Sequence, residues 1–510
     1  MLNLSGLLSH HAKYRADEIG FVFDGNSWTW AELNCETNRL AAALMDLGLR
    51  KGDKFATVMA NSEELMMAYL AAAASGLVIV PCSNLLQAGG LKTLLQDSDT
   101  RAVIADSAHA DVIQSIRKEL PMLVDEGVIF RSEGAGTPEN IRSFVDFVAP
   151  YSSENHAVPI QDDDVFNIMY SSGTTGAPKG IVHTHAIRAL YATLFANAWR
   201  MTPESVVLHA GAIVFNGAML DLMPWIYLGC RYILHPVFDA GRFIAEIDDQ
   251  KVTHVVLVPA QIIAILNHPD FTPEKLASLE MIHNVGAPLH LDYKRRINEA
   301  LPNRFYELYG VTEGFMTILD RRDAVRKAGS VGTPAGFTDI RVLRDDGSEC
   351  AVNEIGEICG RGPLVTPGYY KKPEQTKDAF RFGWLHSGDL GYLDEEGYLF
   401  LVDRQKDMII SGGVNVYPKD IEEIVIQHPA VTEVAVFGLP SDRWGETPVA
   451  AVTCRSSVDA DELCQWVNDR VDAKFQRIST VIVLDSFPRN VAGKILKREL
   501  RETYKEKALL

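Results

Sequence analysis

The sequence predicts an α/β protein: a large N-terminal body of two packed βαβ sheets with a small β-barrel unit at its end, then a small C-terminal α+β domain. Three observations carry that expectation. Helix and strand patterns alternate through two rounds, which implies mainly parallel sheets with helices on both faces. After about residue 331 the texture changes to short strands separated by Gly turns such as Asp346-Gly347 and Glu396-Gly397, the pattern of a small antiparallel unit. The charged run Asp403-Arg404-Gln405-Lys406-Asp407 then marks a boundary, giving domains over 1–405 and 406–510.

Taken in order, Thr29 caps a helix over 30–47, with Leu33, Leu40, Leu44 and Leu47 at helical spacing and Gly48 as its stop. A strand over 55–59 follows. The apolar stretch 65–82 is broken by Ser75-Gly76 and Pro81, so it reads as a buried helix over 65–74 and a strand over 77–80, not as a membrane span. A short helix over 90–96, a strand over 102–104 and a helix over 108–120 complete the first round. In the second, helices over 186–200, 218–228, 240–250, 260–266 and 289–300 alternate with strands over 206–208, 231–235, 253–258, 281–285 and 304–309. Beyond the boundary come helices over 418–427, 459–474 and 495–504 and strands over 434–437, 448–453 and 481–484.

Bulk composition removes several classes of function. The net charge of −18, from 49 basic against 67 acidic residues, disfavours nucleic acid or an anionic membrane surface as the main partner, so an anionic ligand needs a local site. Seven cysteines form no C-x-x-C pair, which argues against a disulfide framework or a zinc site and fits a reducing cytoplasm. The start has no basic segment before an apolar run, so no secretory signal is expected.

Between strand-like segments at 165–169 and 181–182 lies Tyr170-Ser171-Ser172-Gly173-Thr174-Thr175-Gly176-Ala177-Pro178-Lys179-Gly180. Its hydroxyls, its glycines and a lysine can surround a polyanion, and phosphate is the natural guest. The Walker spacing fails, because Gly173 is followed by Thr-Thr-Gly-Ala-Pro-Lys. Three further polar clusters stand far along the chain. Tyr309-Gly310-Val311-Thr312-Glu313 ends a predicted strand, where open α/β sheets collect ligands. Thr312 can donate to a phosphate oxygen, Glu313 is a hard oxygen ligand for Mg²⁺, and Tyr309 offers a face for a purine. In Gly383-Trp384-Leu385-His386-Ser387-Gly388-Asp389, the carboxylate of Asp389 can accept both hydroxyls of a ribose. Pro488-Arg489-Asn490-Val491-Ala492-Gly493-Lys494 places a lysine on a loop before a helix. Each alone is equally an ordinary strand end, turn or surface charge.

Together, in this order and spacing, the four clusters resemble the adenylate-forming superfamily: acyl- and aryl-CoA synthetases, adenylation domains of peptide synthetases, and firefly luciferase. Gly356-Glu357-Ile358, Gly368-Tyr369-Tyr370 and Ser411-Gly412-Gly413-Val414 add further family blocks. The resemblance implies a mobile C-terminal lid and a two-step reaction with ATP, Mg²⁺ and coenzyme A: carboxylate plus ATP gives acyl-adenylate and pyrophosphate, then a thiol displaces AMP. It implies Lys494, Thr312 and Glu313 as catalytic residues, with Glu313 on the metal. Ser171, Ser172, Gly173, Thr174, Thr175, Gly176 and Lys179 would hold the phosphates, and Tyr309 the adenine. Gly286, Ala287, Pro288, Glu307 and Gly310 would join the nucleotide site, Asp389 and Arg404 would take the ribose, and Lys406 would be the hinge. Gly412, Gly413, Trp444, Phe475 and Arg477 would meet coenzyme A.

Where peptide-synthetase relatives carry an aspartate and many CoA ligases a histidine, this chain places Phe215. No charge waits there for an ammonium, so an apolar fatty or aryl acid is expected, with Phe215, Met219, Gly286, Ala287 and Met316 as pocket walls. Asn490 replaces the usual threonine. A carrier-protein phosphopantetheine remains open as the thiol, a silent nucleotide-binding homologue remains open as the class, and a homodimer is one option for assembly. His183 and His185, two apart with no third ligand in view, are expected to be structural.

Overall fold

The computed structural model describes residues 3–131, 142–154, 158–171, 179–404, 407–411, 414–441, 445–471, 473–489 and 495–505. Two twisted sheets form the body. The first has seven strands in the order Arg142–Ser143, Val128–Arg131, Thr100–Asp106, Lys54–Val58, Val78–Cys82, Val165–Ser171, Lys179–Thr184, all parallel except the last. The second has nine. Its parallel centre runs Phe305–Gly310, Met281–Asn284, His254–Leu257, Val206–His209, Arg231–Leu234, Ile19–Phe23, and antiparallel strands close both edges.

A helix layer fills the space between the sheets. Trp30–Asp46, Glu63–Ser75, His185–Ala198 and Met219–Leu228 contribute to one continuous buried cluster with strands of both sheets, while other helices cover the two outer faces. The local reasons are legible. Thr29 and Glu32 form a reciprocal capping box at the first of these helices. The helix Glu63–Ser75 is stopped by Gly76 at φ +70°, a conformation that a side chain resists, and the next strand begins at Val78. No described helix is long and apolar enough to cross a membrane. Pro224 sits inside Met219–Leu228 and cannot donate to the carbonyl four residues back. Trp199 Nε1 donates to that Leu220 carbonyl instead, at 3.0 Å.

A five-stranded antiparallel sheet stands where the barrel unit is expected, from Asp339–Leu343 to Leu399–Arg404. The C-terminal unit carries its own sheet, with Val431–Ser441 and Gly445–Cys454 as its long hairpin, and two apolar clusters. Its helix Pro418–Val425 meets the body: Lys419 Nζ donates to the Leu401 carbonyl at 2.7 Å, and Glu423 lies 3.4 Å from His290.

Several core histidines are held neutral. The ring nitrogens of His283 have no hydrogen-bond partner among the described residues, and the ring packs 4.5 Å from that of Trp199. Burial pushes its pKa down to about 3, and that of His185 down to about 4. A folded-state pKa below the ordinary 6.5 means that the unfolded chain binds more protons on acidification, so stability is full above 6.5 and is lost as pH falls through that window. Each such histidine contributes a slope of up to about 1.4 kcal/mol per pH unit. His283→Leu is therefore expected to flatten the drop in melting temperature between about pH 7 and pH 5. Thermal melts of variant and wild type at both pH values check it, and parallel slopes contradict it.

Candidate active site

The expected clusters fall into two groups, the described ones brought together by the hairpin that closes one edge of the larger sheet. Strand Phe305–Gly310 turns into Met316–Leu319, and the turn carries Thr312 and Glu313 at its tip. The turn admits little variation: Gly314 has φ +124°, and a Cβ there would lie 2.0 Å from the Leu364 carbonyl oxygen.

On one side of the tip Tyr309 donates its hydroxyl to Asp389 Oδ2 at 2.9 Å. Asp389 in turn stands opposite Arg404 on the neighbouring strand. The two residues expected at adenine and ribose thus share one wall. Asp389 is positioned by a bulged strand, Trp384–Leu393, not by a solvated turn. Glu357 accepts from Gly388 N at 2.9 Å and His386 lies 2.7 Å from it. Glu357, Cys359 and His386 together have metal-ligand chemistry, but the Arg381 guanidinium lies 3.1 Å from Glu357 Oε2 and 3.0 Å from His386 Nδ1. A cation already sits on those atoms, so the cluster braces the Asp389 strand.

On the other side Tyr369 donates to Glu313 Oε1 at 2.8 Å, and Lys179 Nζ lies 4.9 Å from the centre of the Tyr369 ring. Desolvation and the Glu313 charge push the Tyr369 phenol well up, so it stays a donor. Glu313 Oε2 has no hydrogen bond among the described residues. A carboxylate with one oxygen left over fits Mg²⁺, which takes one or two carboxylates and fills its sphere with phosphate and water. His183 is fully buried on the strand Lys179–Thr184, and its Nε2 lies 2.8 Å from the Thr312 carbonyl. Burial holds it far below its ordinary pKa, so a neutral ring donates there and fixes the turn. His185 is not on that strand; it opens the next helix.

Glu307 is 2% exposed, with one oxygen on the Lys294 ammonium and the other accepting from Asn284 Nδ2 at 3.0 Å. Asn284 Nδ2 also reaches the Ala287 carbonyl at 3.1 Å. Glu307 therefore braces, through Asn284, the turn Gly286-Ala287-Pro288, whose Gly286 has φ +90°. Gly310 has no space for a side chain either: a Cβ would lie 2.9 Å from Met316 Cβ.

Of the residues expected at the acyl side, Met219 and Met316 are fully buried in the cluster between the sheets and Phe215, half-buried, packs against it. Their loop is tied to both halves of the body. Asn61 holds Ile213 N and the Gly211 carbonyl, Tyr69 donates to the Ile213 carbonyl at 2.8 Å, and Arg188 donates to Asn216 Oδ1 at 2.8 Å. Phe475 and Arg477 are exposed side by side on the C-terminal unit. Ser172, Gly173, Thr174, Thr175, Gly176, Lys406, Gly412, Gly413, Trp444 and Lys494, with the side chains of Ser171 and Arg404, lie outside the described residues. His183, Asn284, Lys294 and Tyr369 carry no expected role from sequence. Only Tyr369, inside a family block, had a signal that could have found it.

The profile of the AMP-binding enzyme family matches residues 8–370, and that of the AMP-binding enzyme C-terminal domain matches 420–494. A long-chain-fatty-acid–CoA ligase of Mycobacterium tuberculosis is 36% identical, with 93% of each chain covered. A feruloyl-CoA synthase of Amycolatopsis is 33% identical, covering 94% of each. Among solved structures, ATP-bound MatB from Rhodopseudomonas palustris superposes with a TM-score of 0.90 at 30% identity over 99% of both chains.

Proposed function

Because the chain belongs to the adenylate-forming superfamily, among its AMP-binding acyl- and aryl-CoA synthetases, we infer that it activates an apolar fatty or aryl acid with ATP and passes the acyl group to coenzyme A. The observation that supports the site assignment is the single hairpin tip that has Tyr309 against Asp389 on one side and, on the other, Glu313 against Tyr369, whose ring the Lys179 ammonium faces. A nucleoside wall and a phosphate end then lie one turn apart.

In this reading Tyr309 packs against the adenine, and Asp389 with Arg404 accepts the ribose. Thr312 donates to the α-phosphate, and its carbonyl is held from behind by His183. The hydroxyl-rich loop and Lys179 hold the departing β- and γ-phosphates. Glu313 would hold Mg²⁺, which supplies charge neutralisation on the phosphates. The carboxylate oxygen attacks phosphorus in line as the bond to pyrophosphate breaks. Little acid–base chemistry is needed, so positioned donors dominate the rate. The thiol then adds to the acyl carbonyl and AMP leaves, after the lid turns about Lys406 and presents Gly412, Gly413, Trp444, Phe475 and Arg477 to coenzyme A.

Domain limits of 1–405 and 406–510 fit this reading, as does a cytoplasmic setting for seven free cysteines. ATP–pyrophosphate exchange over aliphatic, aryl and hydroxycinnamic acids tests the first step. Exchange with no acid would leave a silent nucleotide-binding homologue. Supplying coenzyme A against a holo-carrier protein then assigns the thiol.

A further inference from the structure

Arg188 lies on the helix His185–Ala198, fully buried. Its Nε donates to Asn167 Oδ1 at 2.9 Å, one terminal nitrogen donates to Asn216 Oδ1 at 2.8 Å, and its Cζ stands 4.9 Å from the centre of the Tyr191 ring. All three partners are neutral. No carboxylate is within ion-pair distance of it among the described residues, and its Nη1 has no hydrogen-bond partner although it is shut away from water. Burial pulls its pKa down to about 10, so the charge persists at neutral pH. A guanidinium removed from water without a counter-charge and with a donor left over is costly, and sequences retain such groups where a ligand completes them.

The surroundings say which ligand. Asn216 directly follows Phe215 on the acyl-side loop. The Tyr191 hydroxyl is buried and makes no well-formed hydrogen bond among the described residues, with Asn216 beside it and the Arg188 and Glu313 charges near enough to bear on it. Arg188 is bonded to Asn216, the neighbour of Phe215, so its unsatisfied donor lies next to the loop expected at the acyl side.

We propose that Arg188, with the Tyr191 hydroxyl beside it, is a specificity-determining residue that reads an oxygen function carried by the acid beyond its reacting carboxylate: a hydroxyl, carbonyl or second carboxylate on an otherwise apolar body. The proposal rests on the carboxylate-ligase reading above. The competing role is a clamp that only ties Asn167 to Asn216.

The test is acid-dependent pyrophosphate exchange with matched acids: cinnamate against 4-hydroxycinnamate, and hexanoate against 6-hydroxyhexanoate and hexanedioate. Wild type is expected to favour an oxygenated member over its parent by about 10- to 100-fold in kcat/KM, the range of a hydrogen bond to a charged group. Arg188→Met should erase that preference through KM for the oxygenated acid while KM for ATP stays within about threefold, and Arg188→Lys should restore part of it. Wild type with no preference in either series overturns the proposal, a result that needs no variant to fold. So does an Arg188→Met that loses activity equally on all acids with KM for ATP rising alongside, the mark of a clamp. Exchange with none of the acids removes the ligase reading itself, whereas exchange with parent acids alone removes only this proposal.

Discussion

Lys494→Ala is expected to slow adenylate formation by about 10²- to 10³-fold, while thioester formation from a supplied acyl-adenylate stays near the wild-type rate. The first half-reaction brings a carboxylate onto a phosphorus already surrounded by anionic oxygens. A cation between the two lowers that barrier directly, and its removal costs as much as losing any positioned donor at the charge-bearing atom. The second half-reaction starts from a neutral acyl carbonyl and expels AMP, so the same cation has no comparable charge to meet. The stem beneath the lysine is well tied: Leu496 N donates to the Pro488 carbonyl at 2.9 Å, Arg489 and Ile495 form an antiparallel bridge, and Arg489 pairs with Glu433 on the long strand of the C-terminal sheet. Pyrophosphate exchange and CoA-dependent release of AMP, measured separately, decide the matter. Equal loss in both would show that Lys494 is structural.

What sequence could reach, and what it could not, divides by range. Thr29 with Glu32, or Ser75-Gly76 after an alanine-rich run, acts within a few residues, so those helix ends were readable. The strand Ile19–Phe23 has one partner that is local, Asn26–Thr29 across the Asp24-Gly25 turn, and one that is not, Arg231–Leu234 some two hundred residues later; only the first could be read from sequence. The helix expected over 108–120 breaks into an α-helical turn pair, Ala110–Ile116, flanked by 3₁₀ turns, which apolar spacing alone does not reveal. The same division holds in the site. Motif order put Tyr309, Glu313 and Asp389 in one place, and the described geometry brings Tyr309 to Asp389. The resemblance implies Glu307 at the nucleotide site, but sequence does not show that its carboxylate is paired with Lys294, a residue on a helix with nothing in its local sequence to mark it.

That buried pair sets the second large expectation. Lys294→Met should destabilise the body by about 3–5 kcal/mol, because it leaves the Glu307 carboxylate enclosed and unpaired. Lys294 is 4% exposed and Glu307 2%, and the ammonium also donates to the Ala328 carbonyl at 2.9 Å, so neither charge can turn to water when the other is lost. The paired change Lys294→Met with Glu307→Leu should recover most of that loss, since a buried ion pair is worth little more than well-packed apolar atoms of similar volume. Function should not recover with it. Glu307 orients Asn284, and Asn284 Nδ2 holds the Ala287 carbonyl in the turn expected at the nucleotide, so the double variant should regain its urea midpoint but keep a raised KM for ATP. A double variant that regains both would mean the pair exists for stability alone, and one that regains neither would mean the pair is irreplaceable in the fold. The intermediate result follows from the geometry, in which one carboxylate oxygen meets the ammonium and the other orients the amide that shapes the site.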